Sequence, residues 1–153
     1  MEYATFGAGC FWHIEEEFRT LPGVKNTQVG FSGGNTNNPT YKDVCNGNTN
    51  HAEVVQIEFD SKQISYDELL KKFWSIHDPT TLNRQGPDIG TQYRSVIFYH
   101  NDEQKKKAID SKNQNQSTLK KLIVTEISEA KEFYKAEEYH QQYFVKNGIS
   151  CEI

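Results

Sequence analysis

The chain has 153 residues, 35% hydrophobic and 12% aromatic, with 17 basic against 21 acidic side chains and a net charge of -4. That length suits one compact domain burying roughly 70% of the surface its unfolded form exposes, and the aromatic content argues against intrinsic disorder. The acidic balance removes the attraction for phosphate backbones and anionic lipid, so no nucleic acid or membrane partner is expected; no stretch reaches the roughly 20 apolar residues of a spanning helix, and a soluble protein is predicted.

A short apolar segment, residues 3–8, runs through Gly7 and Gly9 into a predicted helix over 11–20, with Cys10 at the join. Leu21, Pro22 and Gly23 stop that helix, and residues 24–31 read as a strand that dissolves into Ser32, Gly33, Gly34 and an Asn-rich loop ending near Tyr41. Over residues 52–59, Val55, Ile57 and Phe59 alternate with Val54, Gln56 and Glu58, the period of a strand with one buried face. Ser65 and Glu68 form a capping box ahead of Tyr66, Leu69, Leu70, Phe73, Trp74 and His77, which share one helical face up to Pro79. A loop over 80–91 precedes a strand over 93–99, and Asn101 caps a charged helix. The pattern predicts a last strand over 122–127, a helix over 136–146, and a mobile tail from about residue 147 that carries Cys151. This order predicts an α+β fold, a ferredoxin-like split βαβ core with a C-terminal extension, as a single domain over residues 1–153.

Three widely spaced cysteines, Cys10, Cys45 and Cys151, are unlike the dense even sets of secreted scaffolds and point to a reducing, cytoplasmic setting. Ala8-Gly9-Cys10 has neither the basic start nor the apolar run of a lipoprotein signal. At a strand-to-helix turn, Cys10 meets free amide groups and the positive end of the helix dipole, which would lower its pKa and favour a nucleophilic thiolate; a small buried hydrophobe is the other reading. Phe11 and Trp12 point about 100° apart on the helix, so at least one should border the thiol, where an aromatic wall suits a thioether-like group; packing into the core is again the alternative. Tyr41 and Cys45 in YKDVCNG, His51 and Glu53 in HAEVV, and Asp88, Gln92, Tyr93, Arg94 and Ser95 in DIGTQYRS crowd the loops. A carboxyl among aromatic rings would have its pKa raised and could donate a proton near neutrality, and tyrosine hydroxyls could donate to a developing oxyanion.

The motifs GCFW, YKDVCNG, HAEVV, HDPTTLNRQG, DIGTQYRS and YHQQY together resemble the type A peptide methionine sulfoxide reductases over nearly the whole chain. The resemblance implies Cys10 as the nucleophile on the sulfoxide sulfur, Phe11 and Trp12 as the substrate methyl pocket, Glu53 as the acid that protonates the sulfoxide oxygen, Tyr41 and Tyr93 as its hydrogen-bond donors, and Asp88 as a residue holding polar groups or water in place. It further implies a sulfenic acid on Cys10, Cys151 as the resolving thiol, and specificity for the S epimer. Its partners would be oxidised proteins carrying methionine sulfoxide and thioredoxin, with a monomeric enzyme and no cofactor or metal. Cys45 has no role in the resemblance and is read as buried and inert. His13 stands where the family usually has glycine. Cys10 and His13 resemble half of a zinc site, but no second ligand pair is suitably spaced. A thiol peroxidase or disulfide oxidoreductase would use the same thiol, though no Cys-x-x-Cys pair is present; a noncatalytic module binding oxidised peptides is the third reading.

Overall fold

The computed structural model describes residues 1–148, so the predicted tail beyond Gly148, Cys151 included, lies outside the described residues. Strand β1 (Glu2–Ala8) leads through Gly9 into helix α1 (Phe11–Arg19), then β2 (Val24–Ser32), a short helix α2 (Tyr41–Cys45), β3 (Ala52–Phe59) and α3 (Tyr66–Ser75). A two-residue hairpin follows, β4 (Arg84–Gln85) and β5 (Asp88–Ile89), then a 3-10 turn (Thr91–Tyr93), β6 (Ser95–Tyr99), α4 (Asp102–Gln116), β7 (Glu126–Glu129), β8 (Tyr134–Lys135), a second 3-10 turn (Glu138–His140) and α5 (Tyr143–Lys146).

The main sheet has the order β7-β6-β1-β3-β2-β8. Its four central strands β6, β1, β3 and β2 run antiparallel to one another in that order, so β1-α1-β2 straddles β3 and the β3-to-β6 connection straddles β1. That is the ferredoxin-like core read from the sequence. The extension adds a strand at each edge: β7 pairs parallel to β6, and β8 antiparallel to β2.

Alternation decides which residues face the helices. Ala4, Phe6 and Ala8 of β1 and Val55, Ile57 and Phe59 of β3 point into one core with Phe18, Leu69 and Phe73, where Phe6 stacks on both Phe18 and Phe73 with ring centroids 5.2 Å away. Glu53 has the same parity as Val55, so the sheet aims this carboxyl at the helix layer. The opposite face is covered by Ala130 and Phe133 of the extension, packed on Ala52, Val54, Val96 and Phe98.

Two C-terminal elements differ from the sequence reading. Residues 122–125 form no strand: the Val124 amide donates to the Pro79 carbonyl and strand pairing starts only at Glu126. The helix expected over 136–146 shrinks to α5. Gln141 bonds Val29 through both its amide and its carbonyl, and also the Ala136 carbonyl, and Gln142 is left-handed at φ 50, which breaks any continuous helix. The sequence reading also omitted α2 and the β4-β5 hairpin, which are too short to carry a hydrophobic period.

Candidate active site

Cys10 is the N-cap of α1, in extended backbone with no side-chain cap, and is partly exposed. Gly9 makes the approach at φ 103, and a Cβ there would lie 3.0 Å from Gln85, so the β4-β5 hairpin packs directly over the turn. Gln85 is fixed in turn by donating to the Asp78 carbonyl and accepting from the Asp78 amide. This seat brings Asp88 to the site, where its charge acts on Cys10, Glu53 and Tyr93.

The Cys10 thiol is pushed up to about 12, first by burial and next by the Glu53 charge; the backbone amides of Trp12 and His13 pull the other way and lose. This corrects the expectation of a lowered pKa at the helix start. A dipole end favours a thiolate by fractions of a charge, whereas desolvation and two facing carboxylates oppose it here. Glu53 is 1% exposed. Burial raises its carboxyl to about 8, against the Phe11 amide, which donates to Oε1 at 3.3 Å. Oε2 is buried with no partner among the described residues, so one oxygen of the carboxyl is left free.

Tyr41 and Tyr93 both lie within the field of Glu53, and both hydroxyls are raised, chiefly by burial, Tyr93 to about 12. Tyr41 and Cys45 also act on each other, Cys45 raising the Tyr41 hydroxyl further. Cys45 is exposed, correcting the expectation that it is buried. In α2 it is Val44 that takes the core position, and the next residue turns outward. The start of β6, directly after Tyr93, is anchored by a buried chain in which Ser95 bonds His77 Nε2 at 2.7 Å and Thr125 at 2.8 Å. His77 Nδ1 sits 2.8 Å from the Phe73 carbonyl, which only accepts, so Nδ1 carries the proton. Burial drops this imidazole to about 4 and keeps it neutral.

Phe11 is core, 1% exposed and packed on Phe31. Trp12 is the half-buried member of the pair: its indole stacks on Tyr143 at 3.9 Å and 9°, and Nε1 donates to His140 Nδ1 at 2.8 Å. His140 is fully buried among Phe11, Trp12, Tyr41 and Tyr139, and its Nε2 has no partner among the described residues. His140 and Tyr143 were not singled out from the sequence. The usable signal was YHQQY itself, five polar or amphipathic residues in a segment with no apolar stripe to sustain a helix. His51, two residues before Glu53, is buried and accepts from the Gly34 amide at 2.9 Å, with Nε2 2.7 Å from the Thr36 carbonyl; it braces the loop toward Tyr41. Arg94 donates to the Asn50 and Thr91 carbonyls and pairs with Glu126, joining the Tyr93 turn to the start of β3. Cys10, Glu53, Asp88, Tyr41 and Tyr93 thus lie close enough to act on one another's charge, and Trp12 stacks on Tyr41 with ring centroids 6.2 Å apart. A groove of about 660 Å³, lined by Trp74, His77, Pro79 and Lys121 among others, contains none of them.

These features define a thiol site in which a neutral carboxylic acid and two phenols face a cysteine. The family described as peptide methionine sulfoxide reductase matches residues 2–152, and the chain belongs to it. The peptide methionine sulfoxide reductase MsrA of Methanothermobacter thermautotrophicus is 60% identical over 148 residues, covering 95% of this chain and 88% of that protein. Methionine sulfoxide reductase A of Corynebacterium diphtheriae superposes with a TM-score of 0.93 at 42% identity, covering 97% of this chain and 76% of the other. Mxr1 of Saccharomyces cerevisiae in reduced form gives 0.91 at 40% identity, covering 98% and 88%. The same yeast protein in complex with Trx2 gives 0.67 at 28% identity, covering 93% and 84%.

Proposed function

We propose that this chain reduces the S epimer of methionine sulfoxide, in proteins and as the free amino acid, to methionine, with thioredoxin as the final reductant. The observation that carries the reading is Glu53: a buried carboxyl raised to about 8, hence mostly protonated at neutral pH, beside the only cysteine at a helix start among the described residues. A sulfoxide oxygen leaves sulfur only when protonated, so an acid and two hydroxyls opposite a thiol match the chemistry.

Cys10 and Glu53 form a coupled pair. With Glu53 protonated, the second-largest influence holding the thiol proton is gone, and a polarised sulfoxide sulfur supplies positive charge next to Cys10. Cys10 loses its proton and attacks that sulfur while Glu53 delivers a proton to the oxygen. Tyr41 and Tyr93 donate to the same oxygen, and Trp12 bounds the methyl group. The protonated oxygen passes to the Cys10 sulfur as the S–O bond and the new S–S bond at the substrate sulfur break, leaving a sulfenic acid and the thioether, and the thiol proton restores Glu53; the two-electron oxidation of the thiol balances the reduction of the sulfoxide. Cys151 then attacks the sulfenic sulfur, water leaves, and a disulfide remains for thioredoxin to reduce by exchange. The reading takes residues 1–153 as one monomeric domain in a reducing, cytoplasmic setting, as the cysteine spacing favours.

The test is direct: reduced enzyme with dithiothreitol and each epimer of a blocked methionine sulfoxide should form the thioether from the S epimer only. Peroxide consumption without thioether would instead establish a thiol peroxidase, and binding without turnover a noncatalytic module.

A further inference from the structure

Glu15 carries a buried carboxyl with no part in the sulfoxide chemistry. It lies on α1, is 1% exposed, and burial raises its pKa. An apolar residue would fill this position between helix and sheet at lower cost. Both oxygens are nevertheless committed: Oε2 accepts from the Thr27 hydroxyl at 2.7 Å and Oε1 from the Gln142 amide at 2.6 Å. Gln142 is the left-handed residue, φ 50 and ψ 47, a conformation disfavoured for any side chain bearing a Cβ. That turn starts α5 so that the Tyr143 ring lies 3.9 Å over the Trp12 indole at 9°, and Phe144 meets His13 edge-on at 6.1 Å. Trp12, His13 and Glu15 on the nucleophile's own helix therefore hold Tyr143, Phe144 and Gln142 of the C-terminal segment.

We infer that Glu15 is a positioning residue: by holding the Gln142 amide it seats Tyr143 on Trp12 and so fixes the aromatic wall of the substrate pocket. The inference rests on the reading of Trp12 as that wall. Glu15 does not touch Cys10 or Glu53 in any hydrogen bond, so its loss loosens substrate binding and spares the chemical step.

Trp12 and Trp74 are the only tryptophans, so a Trp74→Phe background makes Trp12 the sole reporter. In reduced protein, Glu15→Ala should shift Trp12 emission to the red and at least double its acrylamide quenching. KM for a methionine sulfoxide peptide should rise about fivefold, while the single-turnover rate at saturating substrate stays within about twofold. Glu15→Gln keeps an acceptor for Gln142, and its amide can donate to the Thr27 oxygen, so it should restore both quenching and KM. If Glu15→Ala fails to fold, Glu15→Asp, one methylene too short to span Thr27 and Gln142, should move both readouts in the same direction. Unchanged quenching or unchanged KM in a folded Ala or Asp variant would overturn the inference, as would a Gln variant as impaired as Ala. Were the parent inactive on methionine sulfoxide, the functional reading would fall, and the fluorescence arm would still decide the role of Glu15.

Discussion

At the scale of single residues, the site is governed by burial more than by the helix dipole. Cys10 is raised to about 12 and Glu53 to about 8, so the resting pair holds both protons at neutral pH and the acid is ready before substrate arrives. The single-turnover rate of sulfenic acid formation should therefore fall as pH rises through about 8, where Glu53 loses its proton, and stopped-flow across pH 6 to 10 at about 25 °C reads this directly. Glu53→Gln should slow that step by roughly 100-fold or more; an unchanged rate at neutral pH would place the acid elsewhere. Stability carries the same signature with a defined sign. A carboxyl whose folded pKa lies above its unfolded value binds its proton more tightly in the folded state, so its contribution is intact below about pH 4 and is lost as pH rises toward about 8. Over that window the parent should lose stability relative to Glu53→Gln by on the order of 5 kcal/mol in urea denaturation. The burial of Glu53 follows from the parity it shares with Val55 and Ile57, and its identity as the acid was legible through the family resemblance of HAEVV. The thiol's raised pKa was not, because it depends on carboxylates brought in from β3 and β5, far away along the chain.

At the scale of elements, the turn at Gly9 and the β4-β5 hairpin behave as one unit. Gly9→Ala would force a Cβ into the left-handed region and against Gln85, so it should destabilise the fold by about 2 kcal/mol. It should also slow single turnover by about tenfold through displacement of Asp88; a stable variant with parental rate would show that the hairpin is not seated by Gly9. The long amphipathic elements were readable from periodicity alone: α3 has its capping box and its apolar face where the spacing put them. The C-terminal segment was not, because two glutamines set its path. Gln141 acts as a strand partner for Val29 and Gln142 supplies the turn, and such bonds between a side chain and distant backbone leave no periodic trace. On Trp12, whose indole is held by His140 and Tyr143, truncation to alanine should raise KM about tenfold and loosen the epimer preference. An unaltered KM would return Trp12 to a packing role.

At the scale of the whole molecule, the chain superposes on reduced yeast Mxr1 at 0.91, on its unusual oxidized form at 0.75 and on its Trx2 complex at 0.67. Of these three forms the described fold is most similar to the reduced one; in this chain Glu15 and Trp12 of α1 hold Gln142 and Tyr143 of the C-terminal segment. Substituting Cys151 by serine separates the oxidation of Cys10 from its resolution: one equivalent of methionine should still form per enzyme without reductant, turnover with thioredoxin should collapse, and dithiothreitol should largely rescue it, since small thiols reduce a sulfenic acid directly. The central claim is that Cys10 takes the sulfoxide oxygen, and one measurement reaches it most directly. Reduced Cys151→Ser protein is mixed with a stoichiometric amount of the S epimer of a blocked methionine sulfoxide in the presence of dimedone, and the modified cysteine is located by peptide mass mapping. The account predicts one equivalent of thioether and a dimedone adduct on Cys10 alone; thioether formation with the adduct on Cys45, or with Cys10 unmodified, would contradict it.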